Sequence, residues 1–143
     1  MNNVAEILEH KGRDVVSIDG DATVFDTVNA MVDANIGAIL VTDGDAIAGI
    51  FTERDYLRRI AVEERTPRET PVREVMTSPV IFVTPETSIE ETMALMTDRR
   101  IRHAPVLDEG ELVGMVSIGD LVQSQSRQQS FQIQYLTEYI SAR

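Results

Sequence analysis

The stretch Gly49-Ile-Phe-Thr-Glu-Arg-Asp55 returns as Gly114-Met-Val-Ser-Ile-Gly-Asp120, 65 positions further along the chain. In both copies a glycine within an apolar run is followed by a hydroxyl residue and, three positions later, by an aspartate. The alignment extends without a gap from residues 15–57 to residues 80–122. Nine of its 43 pairs are identical, against roughly one in sixteen expected from composition. This internal repeat predicts two copies of one folding unit, packed with pseudo-twofold symmetry around a cleft.

Each copy has the pattern of a strand, a helix, a strand pair and a second helix. In the first copy an apolar run at 15–18 leads into Thr23 and Asp26, whose spacing predicts a capping box and a helix start. Two apolar runs around the acidic, glycine-containing turn at 43–45 predict a hairpin, and a helix is expected from Thr52. The second copy repeats this order. We therefore expect an α+β fold of two β-α-β-β-α repeats followed by a C-terminal helix.

The chain divides into three parts by composition. The first repeat with its lead-in takes residues 1–66, and the second repeat takes residues 67–123. Related apolar segments, 4–8 and 72–76, precede the two copies and are expected to belong to the repeats that they introduce. Residues 124–143 are rich in Gln and Ser, with apolar residues at near-helical spacing. They predict an amphipathic helix that packs on the body or on a partner subunit.

Composition narrows the classes of function. The chain has no cysteine, which excludes disulfides, thiolate metal sites and thiol catalysis. A formal net charge of −11 argues against binding long nucleic acid, although the short basic clusters at 54–59 and 99–103 could hold a single phosphate. No apolar run approaches the roughly 18 residues needed to cross a bilayer, and no signal-peptide pattern is present. We therefore expect a cytoplasmic protein with neither a membrane nor a nucleic-acid partner.

The repeated motif Gly-h-h-Thr/Ser-x-x-Asp (h, an apolar residue) resembles that of the cystathionine-β-synthase (CBS) domain pair, or Bateman module. Further matches are Ile101-Arg-His-Ala-Pro-Val-Leu-Asp108 and Val72-Arg-Glu-Val-Met-Thr77. The resemblance covers about residues 4–122, and the segment at 52–59 is similar to that of small stand-alone CBS-pair proteins. The resemblance implies a sensor protein that catalyses no reaction. Such a sensor holds AMP, ADP, ATP, NAD(H) or S-adenosylmethionine in the cleft between the repeats. The resemblance also implies a homodimer that signals to an effector protein of unknown identity.

The hydroxyl and aspartate pairs are the strongest candidates for contact with that ligand. Thr52 with Asp55, and Ser117 with Asp120, have the spacing of a capping box, which by itself only starts a helix. A helix start also offers free backbone amides to a phosphate. An aspartate one turn into the helix can accept hydrogen bonds from a ribose diol. Because both pairs occur at matching positions of matching repeats, we favour ligand contact, with capping as the alternative.

Basic residues are distributed unequally between the copies. The resemblance implies phosphate-binding side chains at Arg102 and His103, but the first copy has Gly37 and Ala38 at the matching positions. Arg54, beside the first aspartate, has a glycine as its counterpart in the second copy. We therefore expect two sites of different affinity or ligand preference. The alternatives are a solvated surface arginine and a structural histidine.

The remaining candidates are apolar residues and glycines. Apolar side chains of the first strands would line an adenine slot or would simply belong to the core. The two glycines of the motif either admit a ligand or allow close packing. The complete predicted ligand site consists of Val16, Ile18, Gly49, Thr52, Arg54, Asp55, Ile81, Val83, Arg102, His103, Ala104, Pro105, Gly114, Ser117 and Asp120.

Two other classes of function stay open. One is a structural dimerisation module without a ligand, although degeneration of that kind should erode the Thr/Ser and Asp positions, which are intact. The other is a nucleotide-hydrolysing enzyme. No Gly-x-x-x-x-Gly-Lys phosphate loop is present, and the two histidines, His10 and His103, lack metal-ligand spacing. We therefore assign no catalytic residue and no metal ligand, and we expect a protein that is not an enzyme.

Overall fold

The computed structural model describes residues 2–126, and these form two compact units. The first-repeat unit holds residues 15–80. The second-repeat unit combines residues 2–14 with residues 81–126. Most of the predicted tail helix, from residue 127 onward, lies outside the described residues. The arrangement of the repeats around a common cleft stays a prediction.

The helices and strands follow the predicted order in the first copy, and in the second copy except for its first strand. They are, in chain order, α1 (Val4–Lys11), β1 (Ser17–Asp19), α2 (Val24–Ala34), β2 (Ala38–Asp43), β3 (Ala46–Thr52), α3 (Glu53–Asp55, continued by a π-helical turn at Tyr56–Ala61), α4 (Ile89–Arg99), β4 (His103–Asp108), β5 (Glu111–Ser117) and α5 (Ile118–Ser126), with 3-10 turns at Pro67–Glu69 and Val72–Glu74. The mixed helix and strand fold with two tandem repeats is therefore confirmed.

The duplication holds at the level of individual residue pairs. In the antiparallel hairpins, β2 pairs with β3 and β4 with β5, and both registers shift at one irregularity, between Val41 and Thr42 and between Val106 and Leu107. The two irregularities lie 65 residues apart in the sequence, as the two copies of the motif do. Helices α2 and α4 also end alike, although their final caps, Asn35 and Arg100, are different residues in the left-handed conformation.

The first strand of the repeat forms only in the first copy. There β1 pairs in parallel with β2, and the Leu40 amide donates to the Val16 carbonyl oxygen at 3.3 Å. The matching residue of β4 is Pro105, which has no amide hydrogen to donate. The predicted strand at 80–83 is therefore wrong as a strand. Its contact with β4 is a single bridge between Val83 and Val106.

Each lead-in segment packs in the unit of the other repeat, and not in that of the repeat that follows it in the sequence. In the structure the first lead-in extends through α1 to Lys11, and the second extends to Thr77. Helix α1 contributes Val4, Ile7 and Leu8 to the core of the second-repeat unit, whereas Val72 and Val75 lie in the core of the first-repeat unit. The assignment of each lead-in to the repeat that follows it in the sequence stays a prediction, while its side chains pack in the core of the other unit. The sequence boundaries at 66/67 and 123/124 stay a prediction, although α5 runs through the second of them to Ser126.

Glycines make this packing possible, because a lead-in side chain lies directly over each of them. A Cβ on Gly114 would come within 2.6 Å of a methyl group of Leu8 in α1. A Cβ on Gly49 would come within 2.6 Å of the Met76 sulfur and 2.8 Å of the Thr77 carbonyl oxygen. Distances this short do not occur for real Cβ atoms, so both positions require glycine for close approach.

We expect Gly49→Ala to lower the free energy of unfolding by about 1–3 kcal/mol, the usual cost of overpacking a core. The added methyl group meets the backbone carbonyl of Thr77, which cannot turn aside as a side chain can. Urea denaturation measures the effect. Gly119→Ala is the matched control, because its Cβ meets only the Ser117 hydroxyl, at 3.6 Å. An unchanged midpoint for Gly49→Ala would contradict the close approach.

Candidate functional site

The aspartate of the first motif lies at the start of α3 in a complete capping box. The Asp55 amide donates to Thr52 Oγ1 at 3.2 Å, and the Thr52 amide donates to Asp55 Oδ2 at 3.1 Å. The Thr52 hydroxyl also lies 3.2 Å from the same carboxylate oxygen. Asp55 is only 7% exposed. Capping, the alternative weighed for the sequence, is therefore present here.

The second carboxylate oxygen of Asp55 also has a partner, which comes from the lead-in of the other repeat. The Thr77 hydroxyl donates to Asp55 Oδ1 at 2.9 Å, and the backbone of Thr77 pairs with that of Ile50. We call Thr52, Asp55 and Thr77 the Asp55 cluster. Both oxygens of Asp55 thus already accept hydrogen bonds from the protein, and the side chain is nearly buried, so this carboxylate is less available to a ligand hydroxyl than an exposed one.

The aspartate of the second motif caps α5 in the same way but keeps one oxygen available. The Ser117 amide donates to Asp120 Oδ2 at 2.8 Å, and the Asp120 amide donates to the Ser117 hydroxyl at 3.1 Å. Within residues 2–126 no hydrogen bond reaches Asp120 Oδ1. This carboxylate can therefore accept a hydrogen bond from a ligand without losing one from the protein.

Asp120 also forms an ion pair with the lead-in of the other repeat. Lys11, the last residue of α1, places its ammonium nitrogen 2.7 Å from Asp120 Oδ2 and 2.9 Å from the carbonyl oxygen of Met115. The side chains of Lys11 and Asp120 are 37% and 19% exposed. The two motif aspartates thus receive equivalent contacts from lead-in residues, a neutral hydroxyl in one unit and a cation in the other.

His103 is the fourth member of this group, which we call the Asp120 cluster: Lys11, His103, Ser117 and Asp120. It begins β4 directly opposite Ser117 in the hairpin register and is half-buried. Burial lowers the pKa of His103 below its ordinary value. The Asp120 carboxylate opposes this shift, while Lys11 and Arg102 add to it. The imidazole of His103 therefore takes up a proton less readily than it would in an unfolded chain.

The arginines of the predicted site are solvent-exposed. Arg54 lies in α3, with an exposed side chain. Arg102, also exposed, precedes β4, and its carbonyl oxygen accepts the Ile118 amide at 2.9 Å. That hydrogen bond fixes the backbone of Arg102 at the start of α5. It therefore keeps the base of the arginine side chain at the same end of the hairpin as His103.

The apolar candidates divide into core and surface. Ala104 and Pro105 are buried in β4, and Val83 lies in the core of the second-repeat unit, with its backbone paired to that strand. By contrast, Val16 is 39% exposed and Ile18 and Ile81 are half-buried. Of these side chains, the last three keep surface that an adenine ring could cover. The volume above both motif glycines is filled by protein, so their packing role is present and ligand contact stays a prediction.

Two residues of these clusters were not among the site residues predicted from the sequence. Thr77 ends the segment that carries the resemblance before the second copy, yet its target, Asp55, lies 22 positions earlier. Lys11 is 109 positions from Asp120 and is the only lysine of the chain. That uniqueness was a visible signal, but only the packing of α1 on the second repeat shows its partner.

Among residues 2–126, no group of three or more His, Cys, Asp or Glu side chains is placed to hold a metal ion. None of the helices described here combines the length and the apolar character needed to span a membrane.

Comparisons with known proteins agree with the duplicated fold. The family model of the CBS domain matches residues 4–62 and again residues 72–127. CBSX3, a mitochondrial CBS domain-containing protein of Arabidopsis thaliana, is 42% identical over 149 residues, which cover 96% of this chain and 71% of that protein.

Two solved structures show the same fold. A protein with CBS domains from Burkholderia ambifaria MC40-6 has 49% identity and a TM-score of 0.84, over 86% of this chain and 93% of that one. The hexameric CBS-CP12 protein of bloom-forming cyanobacteria has 32% identity and a TM-score of 0.77, over 87% of this chain and 68% of that one. The similarity therefore extends over the described repeats in both cases.

His103 should make the stability of the protein depend on pH. Because its pKa is lowered in the folded state, the unfolded chain takes up the proton more readily. Stability is therefore fully present above the ordinary histidine pKa of ~6.5 and is lost as the pH falls from there toward the lowered value. Urea denaturation at several pH values measures this slope.

The variant His103→Gln should flatten the slope just below pH ~6.5, because it removes the group that titrates. His10→Gln keeps His103 and is the matched control, with the slope of the wild type. If the two variants had the same slope, burial of His103 would not be its cause.

Proposed function

The chain belongs to the CBS-domain family as a tandem pair, and on that premise we propose that it binds an adenine nucleotide as a regulatory module. The ligand is AMP, ADP, ATP or NAD(H). The protein senses cellular energy or redox cofactor levels and passes the signal to an effector protein. No step of this function requires bond chemistry by the chain itself.

The observation that carries the proposal is the Asp120 cluster. Asp120 keeps an accepting oxygen at the start of α5, which suits a ribose hydroxyl. Lys11 and the neutral imidazole of His103 lie beside it and can donate to phosphate oxygens. A carboxylate acceptor next to basic donors is the combination that a ribose phosphate needs. Arg102 adds a second cation at the same end of the hairpin.

The Asp55 cluster supports a second, weaker site. A ribose hydroxyl there would meet a nearly buried carboxylate and would have to share Asp55 Oδ1 with the Thr77 hydroxyl or displace it. Arg54 is exposed and available for a phosphate, and Val16 presents apolar surface for a base. We therefore expect the first-repeat site to fill at higher ligand concentration than the second.

Binding is converted into a signal through differential affinity. A ligand at about a hundred times its dissociation constant stabilises the state that it binds by roughly 2.7 kcal/mol. It changes the conformation only as far as it binds one arrangement better than another. In this protein the contact that a ligand would alter first is the one between Lys11 and Asp120, which joins α1 to α5. The position of α1 is therefore a candidate output.

Assembly into a homodimer belongs to the same proposal. The hexamer formed by the cyanobacterial CBS-CP12 protein is a precedent for association of proteins with this fold. Exposed apolar side chains on the first-repeat unit, Val32, Leu57 and Val62, support association between copies. A cytoplasmic location stays a prediction.

A structural module without a ligand is the second candidate. The observation in its favour is that both oxygens of Asp55 accept hydrogen bonds from the protein and that protein fills the space above Gly49 and Gly114. In that case the Thr/Ser and Asp positions would serve only as helix caps and as anchors for the lead-ins. Helix capping would then explain both motifs without any nucleotide.

Substitution of the motif aspartates separates the two candidates. Asp120→Asn keeps the side-chain shape but removes its charge, and we expect it to weaken AMP binding ~10-fold or more, in line with the loss of a hydrogen bond to a charged group. Asp55→Asn should act only on a second, weaker binding event. Isothermal titration calorimetry with AMP, ATP and NADH measures both affinities.

Asp108→Asn is the matched control, because Asp108 is an exposed carboxylate at the end of β4. It should bind nucleotides as the wild type does. If the wild type released no heat with any of these nucleotides, the ligand-free module would replace the sensor. Hydrolysis of ATP during the titration would instead indicate an enzyme.

A further inference from the structure

Lys11 is the only lysine in a chain with twelve arginines, and its ammonium group is bound to the carboxylate of one motif aspartate. It reaches Asp120 from the last turn of α1, and the Met115 carbonyl oxygen is its second acceptor. The side chain is more than one third exposed, so a ligand in solution can reach its nitrogen. An exposed ion pair of this kind is readily exchanged for a stronger partner.

The first-repeat unit lacks a charge at the corresponding contact. There the lead-in donor is the Thr77 hydroxyl, which binds Asp55. The two hairpins share one register, and both aspartates cap the helix that follows. The two clusters thus differ most in the charge of the donor that the lead-in supplies.

We propose that Lys11 is the specificity-determining residue of the Asp120 cluster and selects adenine ligands that carry a phosphate over unphosphorylated nucleosides. This inference rests on the proposed function. Pairing with Lys11 neutralises Asp120, and the nearby Arg102 then leaves the cluster with an excess of positive charge. A ligand with a negative group balances that charge, whereas a neutral nucleoside does not.

The exchange of partners follows from the chemistry of the groups. A ribose hydroxyl donates to Asp120 Oδ1, the oxygen that accepts no hydrogen bond from residues 2–126. The ammonium group, on a flexible four-carbon stem with three donors, turns part of its hydrogen bonding from Asp120 to the phosphate. A nucleoside can use the first contact only.

Calorimetry with AMP and adenosine tests this inference, because the two ligands differ only by the phosphate. For Lys11→Met, which keeps the aliphatic stem, we expect AMP affinity to fall roughly 10- to 100-fold, as for loss of a charged hydrogen bond. Adenosine affinity should stay the same or rise, because Asp120 is then unpaired. Lys11→Arg keeps the charge and should keep the preference for AMP.

Arg13→Gln is the matched control, since Arg13 is an exposed cation two positions beyond Lys11. It should leave the ratio of the two affinities unchanged. If Lys11→Met weakened AMP and adenosine equally, or left both unchanged, Lys11 would not determine specificity, although the proposed function would stand. If the wild type bound neither AMP nor adenosine, this inference would fail, and the proposed function would fail with it only if ATP and NADH also released no heat.

A spectroscopic signal identifies Lys11 directly. Reductive methylation with ¹³C-formaldehyde keeps the positive charge and labels one side chain in this chain, together with the α-amine. AMP should shift the methyl resonance of Lys11 strongly and adenosine only weakly. The resonance is assigned by its absence from Lys11→Met. Equal shifts with both ligands would contradict contact between the ammonium group and the phosphate.

Discussion

The close approach of a lead-in segment to a glycine in the hairpin is the contact on which the rest of each unit depends. Leu8 lies over Gly114, and Met76 with Thr77 lies over Gly49. Each contact closes a core and also brings a lead-in donor to the motif aspartate, Lys11 in one unit and Thr77 in the other. Packing and site chemistry are therefore linked, because a Cβ at either glycine would force the atoms above it to shift.

Much of the fold could be predicted from the sequence because its signals are local. The capping boxes at Thr23 and Ser88 start α2 and α4 as expected, and their hydroxyls accept the Asp26 and Glu91 amides. The partner of each lead-in could not be predicted, because it depends on contacts between segments that are distant in sequence. The family model matches each lead-in with the repeat that follows it, whereas the fold packs it with the other.

The candidate site likewise contains residues that local signals could predict and residues that they could not. The two aspartates were found because they are duplicated, and their capping contacts follow from spacing alone. Lys11 and Thr77 could not be found in this way, because their distance from the aspartates in sequence carries no periodic signal. The missing strand at 80–83 is a different case. Pro105 was visible in the sequence, and its lack of an amide hydrogen was sufficient to predict that pairing would be interrupted.

The position of α1 has a consequence for biosynthesis. Residues 15–80 are contiguous, so every segment of the first-repeat unit has left the ribosome before the second repeat is complete. Helix α1 emerges earlier still, but its apolar face belongs with residues 81–126, which are made later. At translation rates of about 5–20 residues per second, Val4, Ile7 and Leu8 stay exposed to solvent for roughly 5 to 20 s. During that interval the nascent chain carries a short amphipathic segment that a chaperone could bind.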